Sequence, residues 1–498
     1  MTFIRKIKKG KYAYLAEVEN KWINGKVVQK HIRYVGRELN GEPILSGSLA
    51  NAQVTKVTCW APLLVLDTLA KQIHLSETLG NYGEYLLSMA YAHCLDPKSV
   101  NKMEDWYKRT DLHKMLNIAD VSEKKLYNAM DSITDKNSEH IQRKIFHSVQ
   151  EIYNLKPKGY FFDVTNVYFY GTECKIAKKG HNKEGSYKPQ VQIGLAVTEE
   201  EGIPIFHKTF EGNIFDARIL CDIMTSFQEF NIKNTFLIWD KGVSSEVNII
   251  DAKRTGFDII CSLAIKQNLK KKVDEIIGNK TFIQLKNRVR LQNAVLYCIK
   301  QKYTYGKVKG HIALCFNEET ARINRERRID NVQRAKELIG KKKPLPEGVQ
   351  KYFKNKKINE SALLNAQKYD GYTVLFSTKN LPIEKIVKPY FEKDKVEKAF
   401  RCLKSVLGLQ PIKHWLEERV KSHVFVCYLA YLLTTLLEYK LRKTDFTAIS
   451  SLEKLTSAYK VYLRDPKTKN EFEKNVMLTT DQEKIMKAVD KNILKHSV

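Results

Sequence analysis

Residues 159–169 of the chain read GYFFDVTNVYF, and residues 236–242 read FLIWDKG. Both stretches are short apolar runs of β type, and each contains an aspartate, Asp163 in the first and Asp240 in the second. Aspartate is disfavoured in strands, so its place in such runs indicates a role beyond solubility. Taken one at a time, however, either aspartate is better explained as a turn or cap residue.

The segments around these two runs predict the fold of the middle of the chain. Apolar alternation and turn residues give three strands, then a helix, a strand, a helix and a strand. The predicted elements cover residues 159–169, 191–197, 203–206, 216–229, 236–239, 244–255 and 259–260. This order is the one expected of a ribonuclease-H-like α/β domain with a mixed sheet, although many α+β folds share it.

A third acidic residue lies on a predicted helix after Pro389. At 100° per residue, the side chains of Tyr390, Lys393, Glu397 and Lys404 fall within about 60° of one another, beside the apolar face of this helix. A carboxylate flanked by two lysines and a tyrosine in that position suits a cleft. Helical spacing alone favours a simpler interpretation, an i,i+4 surface pair between Lys393 and Glu397.

Two further residues on this helix are candidates for the acidic and basic roles. Asp394 competes with Glu397 for the acidic role, and Arg401 extends the basic rim. Together with Asp163 and Asp240, a third carboxylate could complete a site for two Mg²⁺ ions, since hard cations prefer oxygen ligands. In a two-metal site one ion activates the attacking water or 3′-hydroxyl, and the other stabilises the leaving oxygen.

Composition limits the class of protein. The chain has 498 residues and a formal charge of +29, and its 43% hydrophobic content argues against a disordered or histone-like protein. The longest apolar run, residues 424–437, is shorter than a membrane-spanning helix, and the nine cysteines have no paired spacing. We therefore predict a cytoplasmic protein without a membrane partner that binds a polyanion, with nucleic acid favoured.

Over half of the positive excess lies in residues 265–370, where 26 Lys or Arg face 10 Asp or Glu. Short β-type stretches there lead to an arginine-rich helix at about 320–339. A solvated, charge-laced helix is the default explanation. The size of the imbalance favours instead an insertion that tracks phosphates, and we expect a separate, small β-rich body beside the core.

The predicted organisation has six segments. A basic β-hairpin unit, with its turn at Asn24-Gly25, precedes a helical domain that could bind DNA ends, and the core follows in two parts around the basic β-rich insertion. The boundaries are 1–50 for the hairpin unit, 51–157 for the helical domain, 158–264 and 371–445 for the core, 265–370 for the insertion and 446–498 for a lysine-rich C-terminal tail.

In combination these blocks resemble the DDE transposases of bacterial and archaeal insertion sequences, in the group marked by Tyr-x2-Arg-x3-Glu-x6-Lys. The chain has Tyr390, Lys393, Glu397 and Lys404 at this spacing, with lysine in place of arginine. Further matching segments are FFDVT at 161–165, GIP at 202–204, EGN at 211–213 and IWDKG at 238–242. The resemblance covers residues 155–440, and five blocks in the correct order make it fairly specific.

The resemblance implies a ribonuclease-H-like catalytic core that cleaves DNA strands at transposon ends and then transfers them. It implies that Asp163, Asp240 and Glu397 are the catalytic residues and ligate two Mg²⁺ ions, or Mn²⁺ in their place. The implied partners are terminal inverted repeats and target sites in double-stranded DNA, bound by a homodimer in a prokaryotic nucleoid.

The resemblance also implies contacts to DNA phosphates from Tyr390, Lys393 and Lys404, and Arg401 on the basic rim joins this set. Lysine at position 393 keeps the charge of the family's arginine but lacks its bidentate fork, so this contact is the one most changed.

Two other functions fit the same residue types. A catalytically silent DNA-binding regulator derived from a transposase needs the basic segments but not the acidic triad, so the presence of all three carboxylates favours the enzyme. A nuclease of repair or recombination built on the same core fits equally well.

Overall fold

The computed structural model describes residues 2–9, 12–23, 25–39, 42–45, 52–118, 120–169, 173–180, 188–214, 216–228, 230, 235–278, 282–346, 348–466 and 469–496. In chain order the strands are β1 Thr2–Lys9, β2 Tyr12–Ile23, β3 Lys26–Leu39, β4 Glu42–Leu45, β5 Gln53–Cys59, β6 Gly159–Tyr168, β7 Gln190–Thr198, β8 Pro204–Glu211, β9 Phe236–Trp239, β10 Asp258–Leu263, β11 Arg288–Arg290, β12 Val295–Tyr305, β13 Val308–Phe316, β14 Phe353–Lys354, β15 Lys357–Ile358, β16 Tyr372–Ser377, β17 Tyr459–Arg464 and β18 Glu471–Asn475.

The helices, also in chain order, are α1 Ala61–Gln72, α2 Leu75–Leu79, α3 Gly83–Leu95, α4 Met103–Lys108, α5 Leu112–Met115, α6 Glu123–Asp131, α7 Asp135–Tyr153, α8 Asp216–Gln228, α9 Glu246–Arg254, α10 Gln267–Gly278, α11 Glu318–Gly340, α12 Glu360–Gln367, α13 Ile383–Phe391, α14 Asp394–Arg401, α15 Glu417–Leu441, α16 Ala448–Leu455 and α17 Thr480–Val489. The chain divides into two compact units. The terminal unit comprises Met1–Thr68, Asn101–Val121 and Lys440–Val498, and the central unit comprises Leu69–Val100 and Ser122–Tyr439.

A nine-stranded mixed sheet forms the centre of the central unit, in the order β11-β12-β13-β16-β10-β9-β6-β7-β8. Strand β9 runs parallel to both of its neighbours, β6 and β10. The other neighbouring pairs in the sheet are antiparallel. The mixed α/β class is confirmed. The predicted order of three strands, helix, strand, helix and strand is also found, as β6, β7, β8, α8, β9, α9 and β10.

Helices cover both faces of this sheet, which explains why β7 is buried along its whole length. On one face α8 packs so closely that a Cβ at Gly194 would come within 2.5 Å of the Ile223 side chain. On β6, Phe162 and Val164 pack into the apolar cluster of this same face. Helices α13 and α14 pack against strands β6, β7, β9 and β10. Because side chains alternate along a strand, Asp163 points to the face opposite α8.

The basic insertion does not form a separate body, so that expectation is wrong. Its strands β11, β12 and β13 extend the central sheet, and β13 pairs with β16 from His311↔Ser377 to Phe316↔Tyr372. Residues 312–315 of β13 are fully buried, and a strand that is buried on both faces has to lie inside a sheet. The predicted arginine-rich helix is confirmed as α11, which buries only a narrow stripe of small and apolar residues.

The predicted single helix after Pro389 is also wrong. The chain forms α13, turns at residues 392–393, resumes as α14 and ends in a π-helical turn at Cys402–Val406. Pro389 lies inside α13 rather than in a first turn, and Lys393 is the N-cap of α14. Angles calculated along one regular helix therefore do not hold across the break.

In the terminal unit the N-terminal hairpin is confirmed and is part of a larger sheet. Strands β2 and β3 pair antiparallel down to Ile23↔Lys26, and Gly25 adopts the left-handed φ of 76° that this turn requires. Asn24, the other predicted turn residue, lies outside the described residues. Ala16 and Val18, which share one phase of the alternation, are buried. Strands β1 and β4 complete a four-stranded sheet.

The lysine-rich segment 446–498 is folded, in contrast to the tail that its composition suggests. Its strands β17 and β18 form a three-stranded sheet with β5, a strand within the segment that we predicted to be helical. Apolar residues of α16 and α17, among them Leu452, Ile485 and Met486, are buried. Most of the described lysines of this segment are exposed, so its overall composition does not reveal the apolar faces of its helices.

Helix α15 is long and apolar enough to cross a membrane by length and composition, and it contains the apolar run at 424–437. In this structure 94% of its most apolar window is buried inside the protein. Burial within the fold therefore accounts for its apolar character.

Candidate active site

Asp240 stands directly after β9, where a network of hydrogen bonds fixes the turn. Its carboxylate accepts a hydrogen bond of 2.8 Å from the Lys241 amide, and its carbonyl accepts one of 3.1 Å from the Ser244 hydroxyl. The Trp239 indole donates to the same hydroxyl. Ser245 caps the following helix α9, for which the sequence predicted a start at residue 244. Ser244 is thus available to hold the turn that presents Asp240.

The sheet brings Asp163 alongside Asp240. Strands β6 and β9 are parallel neighbours with Phe161 paired to Ile238, and the two aspartates each follow two residues later. Parallel neighbours lie about 4.8 Å apart, and residues two apart share a face. Both aspartates therefore leave the sheet on the same face, Asp163 from the middle of β6 and Asp240 directly after β9.

Two residues from the α13–α14 corner bind the Asp240 carboxylate. The Tyr390 hydroxyl donates a hydrogen bond of 2.8 Å to Oδ1, and the Lys393 ammonium lies 2.9 Å from Oδ2. The same ammonium lies 4.8 Å from the centre of the Tyr390 ring. These contacts connect the Tyr and Lys of the recognised spacing to one of the predicted acidic residues.

The electrostatics follow from these contacts. Burial tends to raise the pKa of Asp240, but the Lys393 ammonium and the hydrogen bonds to the carboxylate outweigh it and hold this pKa below its ordinary value. Burial, reinforced by the adjacent Asp240 charge, raises the pKa of Tyr390 far above its ordinary value. The carboxylate is therefore ionised and the phenol protonated at neutral pH.

Glu397 lies on α14, the helix that packs against β6 and β7. Its side chain is exposed, whereas Val396 and Phe400 anchor the helix to the core. Its rival Asp394 forms an ion pair with Lys398 at 2.6 Å. Among the described residues Glu397 is thus the carboxylate of this helix without such a pair, and its convergence with Asp163 and Asp240 stays a prediction.

The remaining predicted DNA contacts lie at the end of α14. Lys404 is half-buried in the π-helical turn, and its ammonium donates a hydrogen bond of 2.7 Å to the backbone carbonyl of Asn166 on β6. Arg401 is exposed at the last residue of α14. Tyr390, by contrast, is only 5% exposed, which is not the position expected of a side chain that contacts DNA directly.

Sequence analysis missed two residues of this site, Ser262 and Asn166. Ser262 on β10 is buried, and its hydroxyl lowers the pKa of Tyr390, against the larger effect of burial. A hydroxyl in the otherwise apolar strand segment DIICSL is a signal that could have identified it. Asn166 acts through its backbone carbonyl, which side-chain patterns cannot reveal.

Within the described part of the chain, one further group of metal-ligating types lies close together, His93, His423 and Cys427. The nitrogens nearest the Cys427 sulfur, each 3.9 Å away, already hydrogen-bond to the carbonyls of Leu407 and Leu409. Burial lowers the pKa of both histidines. Neutral imidazoles that satisfy buried carbonyls account for this cluster.

A family model matches the part of the chain that contains these residues. The family model described as "Transposase DDE domain" matches residues 154–433, which is more than half of the chain. No curated protein sequence matches the chain. Among solved structures, the chain is similar to the cryo-EM structure of a piggyBac transposase synaptic complex with hairpin DNA, at 9% identity and a TM-score of 0.40 over 80% of this chain and 79% of that one. With its acidic residues on the sheet face described above, the chain belongs to the family of transposases that carry a DDE domain.

Proposed function

We propose that the protein is the metal-dependent transposase of a prokaryotic insertion sequence, in the group with the Tyr-x2-Arg-x3-Glu-x6-Lys signature. It cleaves DNA strands at the ends of its element and joins them to target DNA. The observation that carries this proposal is the Asp240 carboxylate, which follows β9 beside the strand of Asp163 and binds Tyr390 and Lys393. Membership of the family supports the same function.

The topology supports a ribonuclease-H-like core. Strands β8-β7-β6-β9-β10 follow one another in the sheet, with the chain entering at β6 in the middle and the later strands parallel to it. Such an arrangement collects the carboxyl ends of the parallel strands at one edge, where ligand sites of α/β sheets lie. Asp240 lies at this edge, and Asp163 lies level with it in the middle of the neighbouring strand β6.

The donor set of the proposed site fits hard divalent cations. Asp163, Asp240 and Glu397 offer carboxylate oxygens, which Mg²⁺ and Mn²⁺ prefer. The Asp240 side chain is 47% exposed and binds a cationic group in this structure, so it is accessible and suited to positive charge. We propose that the three carboxylates hold two ions. When bound, these ions would activate the nucleophile and stabilise the leaving oxygen.

Both proposed reactions exchange one phosphorus–oxygen bond of DNA for another. In cleavage a water oxygen bonds to phosphorus, the bond from phosphorus to the 3′-oxygen breaks, and the 3′-oxygen takes up a proton. In transfer this 3′-hydroxyl bonds to a target phosphorus and releases the target 3′-oxygen. Lys393, Lys404 and Arg401 border the proposed site and would position the DNA strand through its phosphates.

Double-stranded DNA is the proposed partner, both as terminal inverted repeats and as target. Helix α11 offers a second basic surface, because its buried stripe is narrow and its arginines at 325, 327 and 334 are exposed. Phosphate contacts from such surfaces dominate affinity and depend on salt. A homodimer in the nucleoid would bring two element ends together.

The test compares DNA binding and cleavage with labelled terminal-repeat DNA in Mg²⁺, using the inverted repeats that flank the gene. Glu397→Gln keeps the shape of the side chain but removes a metal-binding charge. We expect binding in a gel shift to persist while cleavage falls by orders of magnitude. Asp394→Asn is the matched control, because its carboxylate pairs with Lys398, and it should cleave like the wild type.

Cleavage by Glu397→Gln at the wild-type rate would refute the catalytic assignment. A wild-type protein that shifts the terminal DNA but cleaves it in neither Mg²⁺ nor Mn²⁺ would instead identify a silent DNA-binding regulator. Cleavage without any preference for the element's ends would identify a nuclease of repair or recombination.

A further inference from the structure

The burial of Tyr390 separates it from the exposed basic residues of the signature. Its side chain is 5% exposed, and its hydroxyl donates a hydrogen bond to the Asp240 carboxylate. The ring also packs edge-on against Phe391 at 5.4 Å. A side chain held in this way cannot reach a DNA phosphate unless it leaves its packing. Its hydroxyl is instead a permanent donor to one oxygen of Asp240.

Lys393 occupies a different position on the same carboxylate. Its ammonium lies 2.9 Å from Oδ2, while Oδ1 accepts from Tyr390 and from the Lys241 amide. The side chain of Lys393 is 21% exposed and that of Asp240 is 47% exposed. The oxygen that the ammonium neutralises is thus the one that neither Tyr390 nor the Lys241 amide binds, and the pair opens towards solvent.

We propose that Tyr390 is a positioning residue for Asp240, and that the Lys393 ammonium holds the place of a divalent cation at this carboxylate until the metal binds. This inference is based on the proposed metal-dependent function. When the metal binds, Lys393 would leave Oδ2 and become available to a DNA phosphate. The lysine would thus pair with the carboxylate in the metal-free protein and with DNA in the metal-bound protein.

Two opposite effects on metal affinity follow. Tyr390→Phe keeps the ring and its packing but releases Oδ1, and loss of a partner that orients a metal ligand weakens metal binding by about 10- to 100-fold. Lys393→Met keeps the aliphatic stem but removes the competing charge, so metal should bind more tightly, by roughly two- to fivefold as expected for a half-exposed ion pair. A residue that only contacts DNA would change neither value in the absence of DNA.

The experiment measures Mn²⁺ binding to the full-length protein without DNA, by the loss of the free-ion electron paramagnetic resonance signal. Wild type, Tyr390→Phe, Lys393→Met and Lys393→Arg are compared, and Lys393→Arg should restore wild-type affinity because it keeps the charge. Asp240→Asn defines the ions that depend on this carboxylate. Thermal unfolding verifies that each variant is folded.

Matched controls come from the same unit. Lys398→Met removes an exposed lysine of α14 that pairs with Asp394, and Tyr431→Phe removes a buried hydroxyl that donates to the Gly202 carbonyl at 3.3 Å. Both should bind Mn²⁺ like the wild type. A general effect of removing a charge or a tyrosine hydroxyl would instead appear in the controls as well.

The outcomes distinguish this inference from the function on which it is based. Wild-type binding that Asp240→Asn abolishes, with Tyr390→Phe and Lys393→Met unchanged, would overturn the inference and leave the metal site intact. Wild-type protein that binds no Mn²⁺, or binding that Asp240→Asn does not alter, would overturn both. Weaker binding by Tyr390→Phe with tighter binding by Lys393→Met would establish the inference.

Discussion

Replacing Lys404 by methionine separates a structural from a DNA-binding role at one position. The Lys404 ammonium donates a hydrogen bond of 2.7 Å to the Asn166 carbonyl, three residues beyond Asp163 on β6. Methionine keeps the apolar stem and removes only the charged donor. A hydrogen bond from a charged group contributes about 1.5–3 kcal/mol when buried. Because Lys404 is half-buried, we expect the variant to lose about 1–2 kcal/mol of unfolding free energy.

The DNA-binding role of Lys404 is measured by the salt dependence of DNA affinity. Each phosphate contact contributes about 0.9 to the slope of log K against log salt concentration for duplex DNA. If Lys404 contacts a terminal phosphate in the complex, Lys404→Met should lower this slope by about 0.9, besides its effect on stability. Urea unfolding gives the first quantity, and binding of terminal-repeat DNA across a salt series gives the second.

Lys395 supplies the matched control. Its ammonium donates to the carbonyls of Glu199 and Glu200, at 2.6 and 2.8 Å, just beyond the end of β7 that pairs with Tyr160, whereas Lys404 binds β6 on the other side of Asp163. Lys395→Met should therefore lose a similar amount of stability with no change in the salt slope. If the two variants show the same slope as the wild type, Lys404 is a structural donor only, and its assignment to DNA is refuted.

Three further predictions concern acid stability and the basic helix. Burial lowers the pKa of His207 to about 3, so between about pH 6.5 and pH 3 the unfolded chain binds a proton that the folded chain refuses. The contribution of His207 to the unfolding free energy is complete above this window and falls as pH decreases through it, by about 2 kcal/mol at pH 5. Urea unfolding at pH 7.5 and pH 5 should show this decrease in the wild type and not in His207→Gln. On α11, changing exposed Arg325 and Arg334 to glutamine should lower the salt slope of DNA binding by about 0.9 for each phosphate that is no longer neutralised, with little change in stability. Arg328→Gln should instead cost about 3–5 kcal/mol of unfolding free energy, since it leaves the buried carboxylate of Asp370 without its partner, and an unchanged urea midpoint would refute this.

The core of the central unit was predictable because its signals are local. The apolar runs of β6 and β9 and the start of the helix near residue 244 each depend on a few adjacent residues. The unfavourable strand propensity of Asp163 and Asp240 marked both aspartates before their strands were known to be neighbours. Their shared face follows from strand alternation and parallel register alone.

Errors arose where distant parts of the chain decide the structure. Strand β13 joins the central sheet because its partner β16 supplies the matching edge, and nothing within the insertion indicates this. The segment after residue 446 folds because β17 pairs with β5, about 400 residues earlier in the chain. The break between α13 and α14 has no glycine at residues 392–393 to announce it. Only the packing of both helices on the sheet requires it.

The same limit explains why the signature alone does not assign roles. Spacing along a helix relates Tyr390 and Lys393 to Glu397, whereas the Tyr390 hydroxyl bonds to Asp240, 150 residues away in the sequence. The break in the helix turns Tyr390 and Lys393 towards the sheet while Glu397 remains exposed on α14. The spacing therefore nominates residues for the site, and the interrupted helix explains how two of them, Tyr390 and Lys393, come to bind the Asp240 carboxylate.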